Sequence, residues 1–300
     1  LVVEDFQDFH YIFTQDAAFA LSESQRTGGA GAYLTIYFNK PPIVDGIERK
    51  GGQSDALDFR NLDLGGTVSV QINGILGAPL QPPDTTENWV KLTGKVVAHE
   101  TAHATGILHE DVYGPIGLGI HNPPGALRYH PAYPGLVGAY ESFDHLISSP
   151  ATVGSTRFND LRNLFFGERE AVKLAFAESA TMSNGLVVDE QSSAHGTIAT
   201  AQLLSPTALA VPNTVTIGMN ANKEFAVAVV DVLGRIDLVG GTSQSDFYTF
   251  QGHKGDMLNL HVLSTSLTRL IDAGDTIDAM VRLYDAVGNV IYFNDDNFES

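Results

Sequence analysis

The clearest hydrophobic pattern in the chain is the alternation over residues 67–73, where Val68, Val70 and Ile72 point one way and Thr67, Ser69, Gln71 and Asn73 the other. A period of two with one apolar side predicts a half-buried β-strand. Upstream, residues 11–13 and 32–38 carry the aromatic and β-branched side chains of strands, with Pro41 and Pro42 stopping the second. Residues 15–26 predict a short helix, broken by Gly28, Gly29 and Gly31. Asp84-Thr85-Thr86-Glu87 has the form of a capping box, so a helix is expected to start there, with Val90, Val97 and Ala98 on its apolar side. A further helix is expected over residues 166–178, with Ala171, Val172, Leu174 and Ala175 inside and Glu168, Glu170 and Lys173 outside.

Between these helices, residues 113–140 are too broken by Gly and Pro for long regular elements and too apolar for a flexible linker, which suggests an ordered loop beside a cleft. His121 and His130 within it read as surface or packing histidines, with contact to substrate or metal as the alternative. Around Asn184 and Gly185 the composition shifts to Ser, Thr, Ala and Val without helical periodicity. This predicts two domains, 1–183 of mixed α+β type and 184–300 all-β. Apolar runs at residues 225–232, 246–250, 257–262, 280–284 and 290–293 predict the strands of a β-sandwich.

Three hundred residues with 43% hydrophobic content suffice for well-formed cores. A net charge of −18 argues against nucleic acid or an anionic membrane as partner. The excess of carboxylates suits Ca²⁺ sites or a salty exterior. Asp45, Asp55, Asp58 and Asp63 in one Gly-rich stretch, and Asp275, Asp278, Asp295 and Asp296 near the end, read either as Ca²⁺ ligands or as solvated turn residues. Without cysteine the chain has neither disulfides nor thiolate ligands. No run is apolar enough to insert in a membrane, and oligomeric state leaves no mark on the sequence. A start at Leu1 rather than Met suggests a trimmed form whose export signal is gone.

The chemistry concentrates in residues 99–109. On a helix, His99 and His103 are four apart and present their rings from one face, a bidentate clamp for a metal ion. Glu100 directly follows the first ligand, which puts its carboxylate beside the metal, where a general base belongs. Continuing the helix would turn His109 about 240° away from His103. Gly106, free to adopt the left-handed conformation that ends a helix, would swing His109 back as a third ligand. In a chain of this composition the complete pattern is expected by chance roughly 5 × 10⁻⁵ times.

This HExxHxxGxxH run resembles the signature of the metzincin zinc peptidases. The resemblance implies a zincin-like catalytic domain with a mixed sheet and an active-site helix, one catalytic Zn²⁺, and peptide-bond hydrolysis by a zinc-bound water with Glu100 as general base. It implies an edge strand above the zinc helix that pairs with extended substrate, for which Thr67, Val68, Ser69, Val70, Gln71, Ile72 and Asn73 are the candidates by position, the alternative being a plain core strand. It also implies a methionine turn under the zinc and a helix closing the domain. Residues 166–178 fit that helix, so chain order places the turn at residues 144–150, with Leu146 or Ile147 standing in for Met. Ile147 lies 38 residues after His109, a separation similar to that in matrixins and serralysins. Met182, the only Met in the first 200 residues, follows the helix and is the less favoured alternative. No tyrosine occupies the turn, so a tyrosine ligand is not expected, and the pair His109-Glu110 is similar to astacins without assigning a family.

Residues 186–300 resemble a bacterial pre-peptidase C-terminal domain, through Asp246-Phe247-Tyr248-Thr249-Phe250, Gly255-Asp256, residues 281–288 and Asn294-Asp295-Asp296. That domain is expected to continue past the Asp pair, so it is expected to be incomplete here. Together the resemblances imply a secreted bacterial zinc endopeptidase acting on protein or peptide. The alternatives are an exported zinc-binding recognition protein without catalysis, or a hydrolase of a non-peptide amide.

Overall fold

The computed structural model of the chain describes residues 2–26, 33–44, 46–60, 65–79, 81–114, 119–120, 137–141, 145–147, 165–179, 184–191, 195–212, 225–235, 238–239, 242–243, 245–262 and 280–294. The N-terminal part opens with a one-turn helix α1 (Val2–Asp5) and a ten-residue helix α2 (Ala17–Arg26). Asp16 starts α2 by accepting the N–H groups of Ala18 and Phe19 on its Oδ1 at 2.9 and 3.1 Å. Residues 11–13 form no strand, which corrects the expectation there. Tyr11 and Phe13 instead pack their rings on Phe6, with centroids 5.1 and 5.4 Å away, so their apolar area is spent on an aromatic cluster that also takes in Phe166.

Strands β1 (Thr35–Phe38), β2 (Ile43–Val44), β3 (Ile47–Glu48), β4 (Gly51–Ser54) and β5 (Thr67–Gln71) follow. β2 and β3 make a small hairpin turning at Gly46. The main sheet has the order β1-β5-β4, with β1 parallel and β4 antiparallel to β5. The alternating stretch is therefore the middle strand, flanked on both sides, and Thr67, Val68, Ser69, Val70 and Gln71 cannot be the substrate-pairing edge. Ile72 and Asn73 lie just beyond the strand. The physical reason lies in burial: Val68, Val70 and Ile72 are 0–4% exposed against Val97 and Ala104, and Ser69 on the opposite face is buried too.

Helix α3 (Thr86–His103) crosses under this sheet. Its N-cap is Thr85, whose Oγ1 accepts the N–H of Asn88, one residue later than the expected box; Asp84 is engaged by the indole N–H of Trp89. Val97 faces the sheet while Ala98 and Ala102 face a second cluster, so α3 is buried on two sides. Val90 is exposed, correcting its place on an apolar face.

Past a 3₁₀ turn (His109–Val112), β6 (Tyr113–Gly114), β7 (Gly119–Ile120) and β8 (Val137–Glu141) make a small sheet of order β6-β8-β7 inside the region expected to be a loop. His121 and His130 lie outside the described residues. Helix α4 (Glu168–Ser179) buries Ala171, Leu174 and Ala175, each at most 1% exposed. Glu168 and Glu170 are buried as well, against the expectation that they face solvent. Glu170 is held there because its carboxylate accepts the N–H of Gly167 and lies 3.2 Å from the ring of His145.

The C-terminal half contributes β9 (Val187–Asp189), β10 (Gln202–Leu203), β11 (Thr207–Val211), β12 (Phe225–Val229), β13 (Asp231–Leu233), β14 (Leu238–Val239), β15 (Thr242–Ser243), β16 (Tyr248–Thr249), β17 (Val281–Tyr284) and β18 (Val290–Asn294). Among the described residues these pair as two-stranded ladders: β9 with β13 and β10 with β16 in parallel, and β11–β12, β14–β15 and β17–β18 antiparallel. Residues 257–262 form no strand, unlike the expectation there. Leu186, Val187, Leu209 and Val211 join the cluster containing Phe166, Leu174 and Phe176, and Arg60 pairs with Asp231 at 2.9 Å. The two halves of the chain thus share a hydrophobic core.

Candidate metal centre

Two turns at the end of α3 and the short segment after it bring three imidazoles together. The Nε2 atoms of His99, His103 and His109 lie 3.1, 3.2 and 3.3 Å from one another. Three nitrogens at 2.0–2.1 Å from a tetrahedral zinc would be about 3.3 Å apart, so the donor set fits the ion. The Nδ1 of His99 donates to the carbonyl of Leu146 at 2.8 Å, and that of His103 to the carbonyl of Ile107 at 2.6 Å. A carbonyl only accepts, so each Nδ1 carries the proton and each Nε2 is left as a lone pair aimed at its neighbours. Burial, then the mutual proximity of the rings, holds His99 well below the ordinary histidine range; the same causes push His103 down to about 3, and burial lowers His109. The rings are neutral at neutral pH, the state in which imidazole ligates a metal.

His109 reaches the cluster through the helix end. α3 stops at His103, Ala104 caps it, and Gly106 takes φ 88° while its N–H donates to His103 O at 2.8 Å. A Cβ at Gly106 would fall 2.4 Å from the Cα of Phe59, so glycine is required both by conformation and by space. The returning segment is pinned by Asp111. Its Oδ2 accepts the N–H of Leu108 at 2.8 Å and pairs with Lys173 of α4 at 2.6 Å, both side chains being largely buried.

Glu100 is buried beside this cluster. Its Oε2 accepts the N–H of Ser54 at 3.1 Å, and burial raises its carboxyl to about 7 against the lowering effect of that bond. A group titrating near neutrality can both take and return a proton. Gly52 on β4 makes room for it: a Cβ there would lie 2.3 Å from Glu100 Cγ and 2.6 Å from Oε1. The strand beside the carboxylate is therefore β4, which has a free edge among the described residues, and not β5.

Leu146 and Ile147, 1% and 0% exposed, lie in the core cluster with Ala98 and Ala102, and Leu146 N donates to Phe165 O at 2.9 Å. Met182 lies outside the described residues, as do Asp45, Asp63, Asp275, Asp278, Asp295 and Asp296. Asp55 is used by Thr67, whose N–H and hydroxyl it accepts at 2.8 and 3.1 Å, and among the described residues neither it nor Asp58 joins a group able to hold a metal.

Sequence reasoning missed Gly52, Ser54, Asp111 and Lys173. The Gly51-Gly52 pair is a readable hint of close backbone approach. Asp111 and Lys173 are 62 positions apart and leave no local signal. No protein-family model, curated protein or solved structure matches the chain.

Proposed function

We propose that this chain is a zinc-dependent endopeptidase of metzincin type, exported from a bacterium and acting on protein or peptide, with residues 184–300 as an appended domain of the pre-peptidase C-terminal kind. The observation that carries the reading is the convergence of three neutral imidazole Nε2 atoms within 3.3 Å beside a buried carboxylate titrating near 7. His99, His103 and His109 would hold the ion. Bound there, Zn²⁺ supplies a Lewis acid that acidifies water and polarises a carbonyl.

The rest is done by the chain. Glu100 takes a proton from the attacking water and returns it to the leaving amine, the role its range near neutrality suits. Ser54 N–H holds Oε2 so that Oε1 is the oxygen left for proton transfer. Gly52 keeps the strand close without displacing that oxygen. An extended peptide adding to the free edge of β4 would lie along the strand that touches Glu100, which aligns a backbone carbonyl with the reacting groups. Leu146 would stand where such enzymes carry methionine, its buried side chain apolar and its backbone carbonyl orienting His99.

The test is casein or gelatin hydrolysis by the chain, after chelation, and after Zn²⁺ is restored. Activity lost and regained is expected; activity indifferent to a chelator that has removed the zinc would overturn the reading.

A further inference from the structure

A second group of metal-capable side chains lies in the C-terminal half. Glu190, His195 and Asp246 each place one donor atom within 4.8 Å of the other two. The His195 side chain is wholly buried, and those of Glu190 and Asp246 are 11% and 13% exposed. Glu190 Oε1 is 3.1 Å from His195 Nε2, and Asp246 Oδ1 is 3.8 Å from Nδ1. Despite that proximity neither ring nitrogen makes a hydrogen bond. Asp246 Oδ1 is beyond hydrogen-bond distance, and Glu190 Oε1, though within reach, takes no hydrogen bond from Nε2, so both ring nitrogens are left with two carboxylates close by.

The group is held from outside. Glu190 follows β9, and its Oε2 accepts the N–H of Arg235. Gln202 braces the same segment, accepting from Gln191 N at 2.8 Å and donating to Asp189 O at 2.9 Å. The carbonyl of His195 accepts Phe247 N at 2.9 Å, next to Asp246. The ring of Tyr248 lies 5.3 Å from that of His195, and its phenol is pushed up to about 12, by burial first and then by Glu190 and Asp246. Gly234 leaves the space tight: a Cβ there would sit 3.2 Å from Glu190 Oε2 and 3.4 Å from the Tyr248 hydroxyl. Two carboxylates around a buried, unbonded imidazole make a preorganised pocket of negative potential.

We propose that Glu190, His195 and Asp246 form a second divalent-metal site, of the transition-metal class, that ties β9, the segment at His195 and β16 together. Imidazole with two carboxylates suits zinc or manganese, whereas Ca²⁺ takes oxygen ligands. The site is independent of the peptidase reading.

The test uses the full chain, demetallated and titrated with Co²⁺, whose visible absorption reports ligation. A His103→Ala/His109→Ala variant, which dismantles the first centre and leaves Glu190, His195 and Asp246 untouched, is expected to bind one equivalent. Adding His195→Gln, or separately Glu190→Gln/Asp246→Asn, should reduce that to none, with circular dichroism of the Co²⁺-free variants unchanged. No binding by the His103→Ala/His109→Ala variant while it keeps the wild-type circular dichroism, or an equivalent that survives both sets of substitutions, would overturn the proposal. The first of these outcomes would mean that His195 serves only as an ion-pair partner of its carboxylates. Casein hydrolysis by the wild-type chain bears on neither result, so the two readings fail separately.

Discussion

The Nδ1 of His99 lies 2.8 Å from the carbonyl oxygen of Leu146, 47 positions along the chain. This one bond fixes the ring's tautomer and joins the helix carrying two of the imidazoles to the buried turn below it. The side chain of Leu146 is buried while its backbone carbonyl orients the His99 ring. A volume-conserving Leu146→Met is therefore expected to change unfolding free energy by less than about 1.5 kcal/mol and to leave zinc content intact. Leu146→Asp, which buries an unpaired carboxylate, should lose both. Urea unfolding and metal analysis of the two variants check this.

Gly52 and Glu100 are in contact with no room for a methyl group. Gly52→Ala is expected to keep zinc stoichiometry but displace the Glu100 carboxylate, and a displacement on the order of 1 Å costs roughly 10²-fold in kcat. Steady-state hydrolysis of a peptide substrate with matched metal analysis reads the effect. Unchanged kcat would remove the strand from the site's architecture.

What the sequence showed, and what it hid, follows the range of the forces. His99, Glu100, His103, Gly106 and His109 lie within eleven positions, where helical geometry alone relates them, so the cluster could be anticipated. The alternation at residues 67–73 identified a strand, yet period two does not say whether a strand is central or at an edge; the partners β1 and β4 decide that. Glu170 reads as a solvent-facing helix residue until Gly167 and His145 are beside it. Tyr11 and Phe13 have strand-forming side chains, and packing against Phe6 overrides that propensity.

Asp111 and Lys173 form a buried pair that holds the His109 segment to α4. Lys173→Met leaves Asp111 buried without its cation and is expected to cost about 3–5 kcal/mol. Zinc affinity should fall about 10–100-fold as His109 loosens. Lys173→Met/Asp111→Leu should recover much of the stability but not the affinity, since removing Asp111 takes the acceptor from the Leu108 N–H. Chemical unfolding and competitive zinc titration separate the two effects.

Lys95 lies one turn before His99, buried, with no hydrogen-bond partner for its Nζ, and burial lowers it to about 7 from 10.5. Between those values the unfolded chain holds a proton that the folded chain lacks, so this residue makes stability rise with pH across that window. Lys95→Met removes the charge and is expected to be more stable than the wild type by about 1–3 kcal/mol at pH 7. The gap should close as pH approaches 10.5. Urea midpoints for both proteins at several values across the window check the sign; a gap that widens with pH would contradict it.

The zinc-peptidase account is tested most directly by hydrolysis of casein by Glu100→Gln loaded with zinc at the first centre. The account predicts full metal occupancy there with turnover reduced by at least about 10²-fold, the contribution expected of a positioned general base. Undiminished hydrolysis at equal zinc content would contradict it.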